Sequence, residues 1–160
     1  MRTKPVPPVR GLAGLRAVRE ALPLVPGSTD DCCRRLIERA DVPDRNSARS
    51  WLAFLVAVGA AARDGDAYYR GTEMPETAAL AASFRENVFG VTEVLDALSA
   101  AGSLTADAVF QRTRSVVPQW ERNRDPEWES TWRDRTERLL AWAVVFDIVR
   151  KTDDGYRLTR

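Results

Sequence analysis

The sequence predicts a mostly α protein with small β-hairpins, an α+β chain in which one short unit is built twice. Three observations predict it. Apolar residues recur at three- and four-residue spacings in several stretches, the period of amphipathic helices. Two segments about ninety residues apart, "LVAVGAAARDGDAYYRG" and "VVFDIVRKTDDGYRLTR", share a profile of apolar run, Asp-Gly break and aromatic–basic return. The order of helices, caps and turns before each segment is the same.

Residues 1–10 carry Pro5, Pro7 and Pro8, which forbid a helix, and are expected to form a flexible arm. From Gly11, the residues Leu12, Leu15, Val18 and Leu22 make a helical stripe that Pro23, Pro26 and Gly27 end. Thr29 is the expected N-cap of a second helix, with Asp30 and Asp31 in its first turn, where the dipole favours acid. Pro43 breaks the chain, and a third helix is expected from Asp44 to about Gly59. "AAARDGDAYYRG" then reads as two strands around an Asp-Gly turn.

The second half repeats that order. "FRENVFGVTEVLDALSAAG" is expected as one helix ended by Gly102, and Thr105 as the cap of the next. "PQWERNRDP" reads as a loop, Pro126 opens a long helix to about Ile148, and a hairpin turns at Asp153–Asp154–Gly155. At an offset of 76, Val18, Ala21, Leu22, Thr29 and Asp31 meet Val94, Ala97, Leu98, Thr105 and Asp107. At an offset of 88, Leu52, Ala53, Val56, Asp66 and Tyr68 meet Leu140, Ala141, Val144, Asp154 and Tyr156. Twelve residues are therefore inserted between the second and third helices of the second half. The expected division is an arm at 1–10, a first unit at 11–71, a linker at 72–82 and a second unit at 83–160, the units packed in one compact body.

Three helices followed by a two-stranded hairpin resembles the winged helix-turn-helix superfamily. "SARSWLAFLVAVGAAARDGDAYYRG" and "RTERLLAWAVVFDIVRKTDDGYRLT" carry the likeness, which spans nearly everything after residue 10. The resemblance implies two winged-helix units. It also implies two uses: duplex DNA binding with the third helix in the major groove, or protein assembly.

On the third helix of the first unit, Ala48, Leu52, Leu55 and Gly59 fall on a core face, flanked by Trp51, Val56 and Val58. Asn46, Arg49, Ser50 and Ala53 fall on the opposite face, with Arg45 beside Arg49. Arginine pairs bidentately with guanine, asparagine with adenine, and serine with several base edges. Arg63 and Arg70 on the hairpin, and Arg2, Lys4 and Arg10 on the arm, are candidate phosphate contacts. At the equivalent face of the second unit stand Asp134, Glu137 and Arg138, and two acids there would repel phosphate. Trp128 and Trp132 are expected to form an apolar edge, either covering the unit itself or facing a protein partner or a second copy. A homodimer would set two recognition helices on symmetric half-sites.

Residues 1–71 carry a net +4 and residues 72–160 a net −3, so the halves differ in sign. No run is long and apolar enough to span a bilayer, and the basic, proline-rich start is no secretory signal, so a cytoplasmic location is expected. Cys32 and Cys33 point about 100° apart on a helix and do not suit a bridge. With no histidine, and with neither a P-loop nor a dinucleotide fingerprint, no metal, cofactor or enzymatic role is expected. The leading expectation is a DNA-binding transcription regulator, and the alternative is an adaptor with no DNA binding of its own.

Overall fold

A computed structural model describes residues 2–159. The chain forms two compact units, the first running through Phe89 and the second from Gly90.

The first unit holds α1 (Gly11–Glu20), β1 (Gly27–Ser28), α2 (Thr29–Arg39), α3 (Arg45–Ala57), β2 (Ala61–Asp64), β3 (Ala67–Arg70) and α4 (Thr77–Asn87). The stripe of α1 buries Leu15 and Val18, and Leu22 is buried just beyond it; Leu12 stays exposed. Ser28, not Thr29, caps α2: its hydroxyl accepts from Asp31 N at 3.1 Å. Thr29 Oγ1 instead donates to Asp66 O at 2.7 Å, tying the start of α2 to the hairpin turn. Asp44 caps α3 by accepting from Ser47 N at 2.8 Å. Buried Ala48, Trp51, Leu52, Phe54, Leu55 and Val58 form the core face of α3.

Two expectations for this unit are corrected. Residues 2–10 are not a free arm. Thr3 N donates to Asn87 O at 2.7 Å, and Phe89 N to Thr3 O at 2.8 Å, while Val6 is buried. Arg10 donates to the carbonyls of Ala40 and Asp41 and stacks over Trp51. Prolines exclude a helix, yet leave an extended strand free to bridge. The helix at 77–87 also belongs to this unit, so the boundary lies at 89/90 rather than at 82/83. Leu80 and Phe84 bury its apolar face, with Phe84 edge-on to Phe54 at 6.3 Å, and Asn87 Nδ2 donates to Ala57 O at 2.9 Å. Counted by these units, the first carries thirteen basic and eleven acidic side chains and the second eleven and twelve. The contrast in charge is therefore smaller than the halves suggest.

The second unit holds α5 (Val91–Ala101), α6 (Ala106–Thr113), a 3-10 turn (Arg114–Val116), α7 (Gln119–Arg124), α8 (Trp128–Val145), β4 (Val149–Thr152) and β5 (Gly155–Leu158). The single helix expected over "FRENVFGVTEVLDALSAAG" is two, α4 and α5. Val88 is extended to meet Thr3, and Gly90 turns the chain at φ 92°. The expected loop "PQWERNRDP" contains α7.

The repeat is legible bond by bond. At an offset of 88, Ala48, Trp51, Leu52, Phe54, Leu55 and Val58 match Thr136, Leu139, Leu140, Trp142, Ala143 and Phe146, all buried. The third helices close alike: Ala60 N donates to Leu55 O at 2.8 Å, and Ile148 N to Ala143 O at 2.9 Å. Gly59 (φ 82°) and Asp147 (φ 60°) occupy the same left-handed position. The hairpins share one register: Ala61↔Arg70 and Arg63↔Tyr68 match Val149↔Leu158 and Lys151↔Tyr156. The β1 pairing Gly27↔Tyr68 is reduced in the second unit to a bridge, Leu104↔Tyr156. Both units thus have the helix, helix, helix, hairpin order of a winged helix. The caps Ser28 and Thr105 stand 77 apart, so eleven of the twelve extra residues lie between the second and third helices, in the 3-10 turn, α7 and the longer start of α8.

Candidate nucleic-acid interface

The third helix of the first unit presents Arg45, Asn46 and Arg49 to solvent, with Ser50 and Ala53 half-buried. Capping fixes where this face begins. The Ser47 N–H bond holds the Asp44 carboxyl below the usual carboxylate range, so the cap is ionised at neutral pH. Beside the helix, an open cleft runs between the start of α2 and the hairpin. Arg45 and Arg49 line it, and so do Asp30, Asp64 and Asp66.

Arg45 pairs with Asp30, which raises its pKa. Arg133 pairs with Asp107 at 3.1 Å in the second unit. By the offsets of 77 and 88 these are the same two positions. The bond joins second helix to third in both units, so Arg45 is only in part a free cation. Arg49 has no ion-pair partner among the described residues. Its equivalent, Glu137, lines the matching cleft of the second unit with Lys151, Asp153 and Asp154. One cleft therefore includes an arginine where its copy includes a glutamate.

The remaining expected residues are dispersed. Arg63 lies at the wing tip, stacked over Tyr68 at 5.8 Å, 3.8 Å from Asp66 and donating to Gly65 O. Arg70 stands at the wing root, where its Nη1 donates to Glu20 O at 3.2 Å. Exposed Asn46 and half-buried Ser50 do not line the cleft. Trp128 and Trp132 do not form an open edge. Trp132 is 8 % exposed and covered by Arg135 at 4.4 Å, and Trp128 is flanked by Arg114 and Arg122 at 5.3 and 4.6 Å. The exposed tryptophan is Trp120, at 56 %.

Sequence reasoning missed the Asp30–Arg45 tie because the offset of 76 pairs Asp107 with Asp31. Asp31 in fact holds Arg34 and Arg35, which lower its pKa. Cys32 and Cys33 are buried free thiols, and burial pushes both up. Among the described residues, no group of three or more Cys, Asp or Glu side chains is placed to hold a metal, and no helix is long and apolar enough to cross a membrane.

No curated protein and no solved structure matches the chain. Over its whole length, residues 1–160, it matches the family described as the Halobacterial double winged helix domain, and the protein belongs to that family.

Proposed function

We propose that the first unit binds duplex DNA through α3 and acts in transcription control, with Arg49 as the central contact and Asn46 and Ser50 beside it. The observation that carries this reading is the reversal between copies. Arg49 is exposed without an ion-pair partner, whereas Glu137 holds the same place in the second unit. A face shaped only by folding would have no need to reverse sign. Small Ala53 leaves room for close approach of a groove, and arginine offers two parallel donors to guanine. Arg45 serves this site chiefly as a positioning residue through Asp30.

The acids of the cleft favour a second reading. Asp30, Asp64 and Asp66 line the cleft beside Arg45 and Arg49, where they would repel a phosphate backbone. An adaptor that docks a protein with basic side chains would use such a rim.

Duplex binding by the full chain at several salt concentrations separates the two. Under the DNA reading, Arg49→Ala costs about 1–3 kcal/mol and relaxes preference at one base position. Binding that Arg49→Ala leaves unchanged contradicts the DNA reading, and a protein partner lost with Asp64→Asn would replace it.

A further inference from the structure

The wing root of the first unit carries a pair of arginines that the DNA reading through α3 does not use. Arg19, on α1, is 5 % exposed. Its Nε donates to Ala60 O at 3.0 Å and its Nη2 to Gly71 O at 2.7 Å. Arg70, next to Gly71, donates from Nη1 to Glu20 O, next to Arg19. The two side chains therefore clasp each other's neighbours, which sets two guanidinium groups side by side.

Their hydrogen bonds all go to neutral carbonyls. No carboxylate lies within 4 Å of either group among the described residues. Arg70 Nε is buried with no partner. Exposed Arg16, one turn earlier on α1, adds a third positive charge felt at Arg19, against the single exposed acid Glu20. Arginine does not shed its proton to relieve such crowding. Carbonyls at the end of α1 offset part of the charge, but three donors of Arg19 and four of Arg70 remain outside the clasp.

The second unit serves as an internal control. Leu158 occupies the register position of Arg70, and α5 contains no basic residue. The positions of Arg19 and Arg70 are thus filled there without a cation, and the arginines of that wing, Arg150 and Arg157, stand on the next rung.

We propose that Arg16, Arg19 and Arg70 form an anion site at the first wing root that takes one phosphate-class oxyanion. The forked guanidinium groups match the geometry of two phosphate oxygens. The group belongs either to a phosphodiester of DNA or to a free phosphate-bearing molecule, and the site stands whether or not α3 reads DNA.

The test is thermal unfolding of the full chain in sodium phosphate against sodium chloride at equal ionic strength. Phosphate at tenfold its Kd raises Tm by about 3 °C. Arg70→Leu, which copies the second unit, abolishes the rise. Arg16→Ala, at an exposed position, weakens phosphate about tenfold. Arg63→Ala, at the wing tip, leaves the rise intact. No rise in the wild type, or a full rise in Arg70→Leu, overturns the site. A short duplex then identifies the source. If Arg70→Leu weakens DNA about tenfold, the phosphate is that of the backbone. If it abolishes the phosphate effect alone, the ligand is a free phosphate compound. Arg49→Ala changes DNA affinity without touching the phosphate rise, so failure of the α3 reading and failure of this site are distinguishable.

Discussion

Replacing Gly155 by alanine perturbs the second wing where the two copies differ most. Gly155 has φ 127°, and a Cβ there would lie 2.4 Å from Leu104 O and 2.6 Å from Leu104 C. Both are backbone atoms, so no side chain can swing aside. The chain must move away from Leu104, which stretches the bridge made by Tyr156 N to Leu104 O at 2.7 Å and Leu104 N to Tyr156 O at 3.0 Å. Strain of an L-residue in this region costs about 1–3 kcal/mol, and each lost bond about 1 kcal/mol. The expected loss is about 3–5 kcal/mol. In the first unit the same place is held by Ala67, which is not in the left-handed region. Ala67→Gly should therefore cost about 1 kcal/mol or less. Urea unfolding followed by tryptophan fluorescence reads Gly155→Ala through Trp120, Trp128, Trp132 and Trp142 in the second unit, and far-ultraviolet circular dichroism reads both variants. If Gly155→Ala costs no more than Ala67→Gly, the description of the second wing is wrong.

Asp147→Gly should stabilise the chain by about 0.5–1 kcal/mol in the same assay, because Asp147 sits at φ 60° where Gly59 sits in the first unit. Trp132→Ala should cost about 3–5 kcal/mol, whereas Trp120→Ala should leave stability within about 0.5 kcal/mol. Asp31, held below the usual range by Arg34 and Arg35, should contribute stability above about pH 4 that is lost as pH falls through its lower folded pKa. Acid titration of Asp31→Asn should accordingly converge on the wild type at low pH. Native Cys32 and Cys33 should react with a thiol reagent at pH 8 far more slowly than in urea, because both are buried and raised.

Much of the fold was legible because its signals are local. Asp44 before "RNSARSW", Thr105 before "ADAVF" and the two Asp-Gly turns each mark their own element, and the structure places caps or turns there. What escaped depends on distant partners. Nothing near Thr3 announces that it bridges Val88, and nothing near Gly90 announces that a helix must stop there to make that bridge. Trp128 and Trp132 look like an exposed pair at i and i+4, but Arg114 and Arg122 from other elements flank Trp128, and Arg135, one turn on along α8, covers Trp132. At the candidate interface the residues of α3 were legible from helical spacing. The acids that share its cleft come from α2 and the wing, and only the folded chain brings them together. Arg45 is the instructive case. Its charge suggests a phosphate contact, and only the folded chain shows that it pairs with Asp30, as Arg133 pairs with Asp107.

The central claim is that the first unit presents a recognition helix whose copy in the second unit has lost that role. Exchanging the two diagnostic charges tests it most directly, with duplex affinity measured for Arg49→Glu and Glu137→Arg in the full chain. The account predicts that Arg49→Glu weakens binding at least about tenfold, while Glu137→Arg leaves the wild-type site preference in place. Equal effects from the two exchanges, or none from Arg49→Glu, would contradict it.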